Sequence, residues 1–296
     1  YLLGENVKEI TAQTLAYQIA PKINAGGRMG DANCALRLFT QTNPNTIFDL
    51  AVKLNEYNIQ RQNECDKIYQ QARQKIQKHS LHKKHVIVVK DTEWQAGFIG
   101  IVAAKLVEEF ARPVFVFAGQ EDYLKGSARS IDGLNIYEAI VEAKDYLLGF
   151  GGHSQAAGVS VSEQMFLQFD KAINDIVKTQ VEKIDTCPKI NVEWQVNGQF
   201  SARFAHEIEL LQPFGVGNRK PLFSTKVGEI NAVPLKAGSN HYTFNTETLE
   251  MLNFNGQKDL EVLKLPIQKD IVFEVNLSTF KNREYIKGYV KAICPN

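Results

Sequence analysis

Two glycine-flanked polar clusters hold the residue types that bind and process anions. They are Gly126-Ser127-Ala128-Arg129-Ser130 and, about twenty residues on, Gly151-Gly152-His153-Ser154-Gln155-Ala156-Ala157-Gly158. Small residues let a ligand approach the backbone, and the planar fork of Arg129 can grip two phosphate oxygens at once. The hydroxyls of Ser127 and Ser130 add donors. His153 is the one side chain in either cluster that exchanges a proton near neutral pH. As a donor it can stabilise charge developing on a phosphoryl oxygen; as a base it needs a nucleophile within reach. The bland alternative for the first cluster is a turn whose serines satisfy local backbone groups.

Two further groups repeat the theme. Arg28 follows Asn24-Ala25-Gly26-Gly27, a basic residue presented by glycines, or else an exposed loop arginine. Trp94-Gln95-Ala96-Gly97 precedes a helical pattern whose first N–H groups can receive an anion, or it is a strand-to-helix turn covered by an indole. Near the C-terminus, Tyr285, Lys287, Tyr289 and Lys291 alternate with Ile286, Val290 and Ala292, placing rings and ammonium groups on one strand face. Such a face suits single-stranded nucleic acid, with bases on rings and phosphates on lysines, and Lys281 and Arg283 extend it. Solvated edge charge with incidental tyrosines is the competing reading. A two-metal hydrolase needs grouped carboxylates and histidines, which this chain lacks; Asp91 is a lone carboxylate at a strand end.

The elements that must position these groups follow from periodicity. Residues 20–30 read as a loop, followed by a short helix from Ala32 to Phe39 capped by Asp31. A long helix from Thr46 to about Lys78 is polar through Asn58–Glu64 and reads as a connector. His85–Val89 and Pro113–Phe117 are apolar strands flanking a helix from about Gly97 to Phe110, a βαβ unit covered on both faces. Tyr123–Ser130 is a strand carrying the first cluster, Asn135–Asp145 a helix, and Ala156–Val161 a strand leaving the second cluster. The two clusters are expected as loops meeting at one end of the sheet. Ser162 caps an amphipathic helix bearing Phe166, Phe169, Ile173, Ile176, Val177, Val181 and Ile184. Beyond Cys187-Pro188, strands at Val192–Val196, Val227–Val233, Tyr242–Asn245, Met251–Phe254, Ile271–Thr279 and Tyr285–Ile293, with a helix at Ala202–Leu211, suggest a small β-barrel.

At 296 residues and 44% hydrophobic content, the chain can bury ordinary cores in two or three domains. Lys plus Arg (34) balances Asp plus Glu (33), so a nucleic acid must be met by local patches rather than a global basic field. The scattered cysteines Cys34, Cys65, Cys187 and Cys294 indicate neither a disulfide framework nor a zinc site and fit a reducing cytoplasm. No apolar run reaches membrane-spanning length. The chain opens on Tyr1 rather than Met and reads as a fragment or processed product.

Five stretches, taken together and in order, resemble the C-terminal two-thirds of RecJ-type single-strand DNA exonucleases of the DHH phosphoesterase superfamily. They are Ile19 to Arg28, Trp94 to Ala103, Lys125 to Ser130, Phe150 to Gly158 and Pro213 to Asn218. The Gly-Gly-His element alone is shared with small-nucleotide phosphodiesterases and alanyl-tRNA synthetases. The resemblance implies the end of a DHH catalytic domain at 1–43, a connector helix at 44–79, a DHH-associated α/β domain with a mixed sheet at 80–186 and an OB-like all-β domain at 187–296. It implies 5′-directed, Mn2+- or Mg2+-dependent degradation of single-stranded DNA in recombination and repair, by a monomer in the cytoplasm alongside proteins such as a helicase or a single-strand-binding protein.

By motif match, Arg28, Ser127, Arg129 and Ser130 would hold substrate phosphate, including the 5′ end. His153 would face the scissile phosphate, with Gly151 and Gly152 against the nucleic acid. Gln95 stands where the family often has a histidine, so no histidine role transfers there. The Asp-His-His motif is absent, so the chain is expected to be inert alone. The other readings are a non-enzymatic single-strand-binding or protein-docking module, and a small-nucleotide phosphodiesterase, for which a C-terminal barrel is superfluous.

Overall fold

The computed structural model describes residues 10–119, 123–184, 190–280 and 283–295, without the side chains of 278–280 and 283. Cys187 and Lys281 therefore lie outside the described residues. Two compact units are formed by 14–188 and by 189–296.

The first unit opens with a correction. The glycine-rich stretch expected to be a loop is a helix, Ala20–Arg28. Pro21 sits in its first turn, where its missing N–H is not needed. Gly26 is consumed by packing: a Cβ there would stand 2.8 Å from the Asp31 carbonyl oxygen and 3.3 Å from Leu54 Cδ2. Asp31 caps the next helix, Ala32–Thr40, accepting from the Cys34 N–H, and its other oxygen takes Lys53 Nζ at 2.7 Å. The connector helix runs Pro44–Lys78 with Asn43 as its cap. It buries Leu50 and Leu54 beside Cys34 at one end, and Cys65, Ile68, Ala72 and Ile76 in the sheet's core at the other. Its polar middle is not wholly solvated, since Asn58 is buried and receives Arg61 Nη2 at 2.9 Å.

The sheet of this unit comprises β1 (Ile87–Asp91), β2 (Val114–Gly119), β3 (Tyr123–Arg129), β4 (Gly149–His153) and β5 (Ala156–Ser162), in the order β1-β2-β3-β5-β4. Only β1 and β2 are parallel, joined through the helix Ala96–Phe110; the remaining pairs are antiparallel, so the sheet is mixed. One face packs Phe115, Phe117, Leu124, Ala128, Val159 and Val161 under the helices Ile136–Glu142 and Phe166–Val181. Phe166, Phe169, Ile173, Val177 and Val181 are the buried stripe expected of the latter helix. Gly126 exists for this face, because a Cβ there would lie 2.4 Å from Phe117 Cε1 and 2.7 Å from Val159 Cγ2. We expect Gly126→Ala to destabilise by about 1–3 kcal/mol through overpacking. A urea titration checks this, and an unchanged midpoint would mean the ring can move aside.

On the opposite face, the helix Ala96–Phe110 and the connector cover β1 and β2 through Ile87, Val89, Val114, Val116 and Ala118. The second cluster is not a loop. Gly149–His153 is the edge strand β4, turning through Ser154 and Gln155 into β5. The two clusters thus lie on neighbouring strands rather than as loops at a sheet end, because alternation along β3 and β5 sends one set of residues into the core and the other onto this face.

The second unit is a seven-stranded sheet. Its strands are β6 (Trp194–Gln195), β7 (Leu222–Val227), β8 (Val233–Pro234), β9 (Tyr242–Asn245), β10 (Glu250–Asn253), β11 (Lys269–Phe280) and β12 (Arg283–Pro295), in the order β6-β7-β11-β12-β10-β9-β8. Among the described residues no ladder joins β6 to β8. Phe223, Phe244, Met251, Ile271, Phe273 and Val275 form its core with the helix Ala202–Glu209. The strand expected at Val227–Val233 is instead Leu222–Val227, and Val233 opens β8. Ala292 was expected beside Ile286 and Val290, but a register shift opposite Lys291 pairs Phe273 with Val290 and Val272 with Ala292. The extra residue inverts the alternation, so Ile293 packs against the core in place of Ala292.

Candidate functional site

Where the helices stop covering the sheet, its floor becomes polar. Register places the outward residues of β3, β5 and β4 in three rungs: Lys125-Ser160-Gly149, Ser127-Gly158-Gly151 and Arg129-Ala156-His153. On this face, apart from Ser160, Ser162 and His153, no side chain of β5 or β4 is larger than a methyl group, so the floor is a shallow trough. Its wall is the N-terminal turn of the helix Ala96–Phe110, together with Gly27 and Arg28. The resulting cleft of ≈ 660 Å³ is lined by no carboxylate among the described residues.

Arg28 reaches the cleft across the chain, donating from Nη1 to the Gly97 carbonyl at 2.8 Å. Gly97 permits this approach, since a Cβ there would meet the Arg28 carbonyl oxygen at 3.1 Å. Arg129 donates from Nη1 to Ser127 Oγ at 3.0 Å and to the Ala128 carbonyl at 2.8 Å, which orients its fork. Burial, and then the positive charge of Arg28, pull the Arg129 pKa below the ordinary arginine value. Like charges held together without an acid between them are a standing attraction for an anion.

Gly100 makes room for this pair: a Cβ would lie 3.1 Å from both Arg129 Nη2 and Ser127 Oγ. We expect Gly100→Ala to leave thermal stability unchanged or raised, through helix propensity, while displacing the guanidinium and weakening phosphate binding several-fold. Melting curves and phosphate titrations on the same samples check the opposite signs.

The other residues singled out from sequence divide. Ser130 is buried and its hydroxyl donates to the Leu134 carbonyl at 2.7 Å, so it holds the turn after β3 rather than presenting a free donor. His153 is exposed on the third rung, two strands from Arg129 with Ala156 between them, and its Nδ1 accepts from the Gln155 N–H at 3.3 Å. Gly151 leaves open space above it, whereas a Cβ on Gly152 would strike the Ala156 carbonyl oxygen at 2.4 Å. Asp91 accepts from the Glu93 N–H at 3.0 Å, which closes the turn after β1, and it pairs with Lys75 at 2.8 Å.

On the second unit the lysines of the predicted face are not free. Lys287 meets Glu250 and Lys291 meets Glu274, each at 3.0 Å. Tyr285 is 41% exposed, and the Arg283 side chain lies outside the description. Tyr289 packs edge-to-face on Phe254 at 5.3 Å, and Phe254 on His241 at 5.4 Å. Sequence reading missed Phe254 and His241, which come together only through the β9-β10-β12 pairing. The one available signal was an aromatic residue at the end of the strand expected at Met251–Phe254, which the structure ends at Asn253.

Among the described residues no group of three or more His, Cys, Asp or Glu could hold a metal ion. No helix there is long and apolar enough to cross a membrane.

The DHHA1 domain family matches residues 83–179, and the RecJ OB domain family matches residues 196–292. The single-stranded-DNA-specific exonuclease RecJ of Bacillus subtilis (strain 168) is 30% identical over 292 residues, covering 96% of this chain and 37% of that protein. The protein of the same name from Thermus thermophilus is 33% identical over 219 residues, 72% of this chain and 30% of its own length. A crystal structure of RecJ from Thermus thermophilus in complex with Mg2+ superposes with a TM-score of 0.82 at 26% identity, over 99% of this chain and 45% of that one. The chain thus spans about a third of the length of these curated relatives. With both domain families present in sequence and a shared fold across its length, the chain is a RecJ-type C-terminal portion, a DHHA1 domain followed by a RecJ OB domain.

Proposed function

We infer that the chain supplies the substrate-holding half of a 5′→3′ single-strand DNA exonuclease of recombination and repair, a cytoplasmic monomer working beside proteins such as a helicase or a single-strand-binding protein. The observation that carries this reading is the convergence of Arg28 and Arg129, with Ser127, on a trough lined by no carboxylate among the described residues. Arg28, Ser127 and Arg129 bind the phosphate, including a 5′-terminal one, and Ser130 positions the strand end. His153, one strand over from Ala156 on the Arg129 rung, donates to the phosphoryl oxygen on which charge develops. Crystal structures of RecJ carry Mg2+ or Mn2+. The described residues do not fit such an ion, so its ligands belong to a metal-binding half other than these residues.

Two results test this. Contaminant-free chain alone shows no Mn2+-dependent degradation of 5′-phosphorylated single strands; robust degradation overturns the division of labour. Joined to a metal-binding DHH half, His153→Ala lowers kcat by roughly 10²–10³, the usual cost of losing one transition-state donor. A wild-type rate in that variant would reduce the trough to a binding module.

A further inference from the structure

The phosphate reading uses two rungs of the trough and leaves the third unexplained. Lys125 occupies that rung, exposed, with Ser160 directly across from it on β5 and Gly149 beyond on β4. A Cβ on Gly149 would meet nothing within 4 Å, so the space beside the lysine is open. Other lysines around this sheet, Lys75, Lys84, Lys90 and Lys105, each meet a carboxylate. Lys125 meets none among the described residues; its ammonium has only the Tyr123 ring, at 5.9 Å from the centroid. The cleft includes Lys125 and Ser160 together with Arg28, Ser127 and Arg129, so both ends open into one space of ≈ 660 Å³, far more than one phosphate fills.

We propose that Lys125 and Ser160 form a second phosphate subsite, so that the trough takes two phosphates separated by one nucleoside. Same-face residues on a strand lie about 6.8 Å apart, and Lys125 and Arg129 are two such steps apart along β3. The Arg129 guanidinium already leans one step toward Lys125, to Ser127 Oγ, and the Lys125 ammonium, resting over the Tyr123 ring on the side away from Arg129, swings inward to shorten the gap from its end. A nucleoside bridges what remains; two phosphates sharing a single oxygen do not. Ser160 supplies a hydroxyl at the lysine's rung as Ser127 does at the next, and the side-chain-free positions Gly158 and Gly151 leave the floor between them clear. This inference rests on the reading of the Arg28–Arg129 end as a phosphate site, and the experiment separates the two.

Thymidine 5′-monophosphate, thymidine 3′,5′-bisphosphate and inorganic pyrophosphate are titrated into the full chain, its Lys125→Ala and Lys125→Arg variants, and Arg129→Ala. Binding is followed by amide NMR shifts. The expected result is bisphosphate binding about tenfold tighter than monophosphate, a gain lost in Lys125→Ala, kept in Lys125→Arg, and absent for pyrophosphate. Monophosphate binding is unchanged by Lys125→Ala and lost in Arg129→Ala. If Lys125→Ala leaves the bisphosphate gain intact while Arg129 still governs monophosphate binding, the second subsite fails and the first stands. If pyrophosphate shows the Lys125-dependent gain instead, the nucleoside spacing is wrong and the proposal falls. If the wild-type chain binds no monophosphate, both readings fall.

Discussion

Arg129→Ala lowers the affinity of this chain for a 5′-phosphorylated single-stranded oligonucleotide by about 10- to 100-fold, the equivalent of the roughly 1.5–3 kcal/mol carried by hydrogen bonds to a charged group. The size follows from the setting. The guanidinium is partly withdrawn from water, it is braced by Ser127 Oγ and the Ala128 carbonyl, and it faces Arg28 with no carboxylate lining the space. Removing it also relieves Arg28 of a like charge, so the loss reports the anion and not a broken internal pair. Arg129→Lys recovers only part of the affinity, because an ammonium keeps the charge and loses the two-pronged geometry. The dependence of binding on salt drops by about one phosphate contact in Arg129→Ala. Fluorescence anisotropy at two salt concentrations reads both quantities. Equal affinity and equal salt dependence in wild type and variant would move the phosphate site elsewhere.

Lys269→Met destabilises the second unit by about 3 kcal/mol or more. Lys269 is fully buried, and its ammonium donates to three backbone carbonyls, Gly228 at 2.6 Å, Leu265 at 2.7 Å and Ile267 at 2.9 Å. Those oxygens belong to the turn after β7 and to the segment leading into β11, so one side chain ties two loops to the sheet. Methionine matches the volume and supplies no donor. Each hydrogen bond from a charged donor contributes about 1.5–3 kcal/mol, and three are lost. Urea unfolding followed by far-ultraviolet circular dichroism measures the shift. A change below about 1 kcal/mol would mean that water enters and replaces the ammonium.

Much of this was legible from residue order. The apolar runs around Val88 and Phe115 announced a sheet covered on both sides, and the spacing of Phe166, Phe169, Ile173, Val177 and Val181 announced the helix over it. Arg28, Ser127, Arg129 and His153 stood out because glycine neighbours leave charged or hydroxyl side chains with little local packing to explain them. The failures have a common cause. Gly26 and Gly27 signalled a loop, yet the chain is helical there because Gly26 is needed where Asp31 and Leu54 approach. Gly149 to His153 signalled a second loop, yet they pair with β5. Composition records that a glycine is required, without recording whether a turn or a neighbour requires it. Ser130 likewise has the chemistry of a phosphate ligand and spends its hydroxyl on Leu134.

By itself, the order of residues determined which side chains have the chemistry to hold a phosphate: two glycine-presented arginines, a serine and a histidine spread from position 28 to position 153. Strand register decided that Ser127, Arg129, Ser160 and His153 share a face, and that Lys125 stands at the far end of it. Packing of the helix Ala96–Phe110 against Arg28 decided that a residue 101 positions before Arg129 closes the same cleft. Partnering also decided which lysines are available: Glu250 and Glu274 occupy Lys287 and Lys291, while among the described residues no carboxylate reaches Lys125. Periodicity along a chain specifies which way each side chain points. Whether that direction ends in a core, a counter-ion or an open cleft depends on what other segments bring to meet it, and only the tertiary structure contains that information.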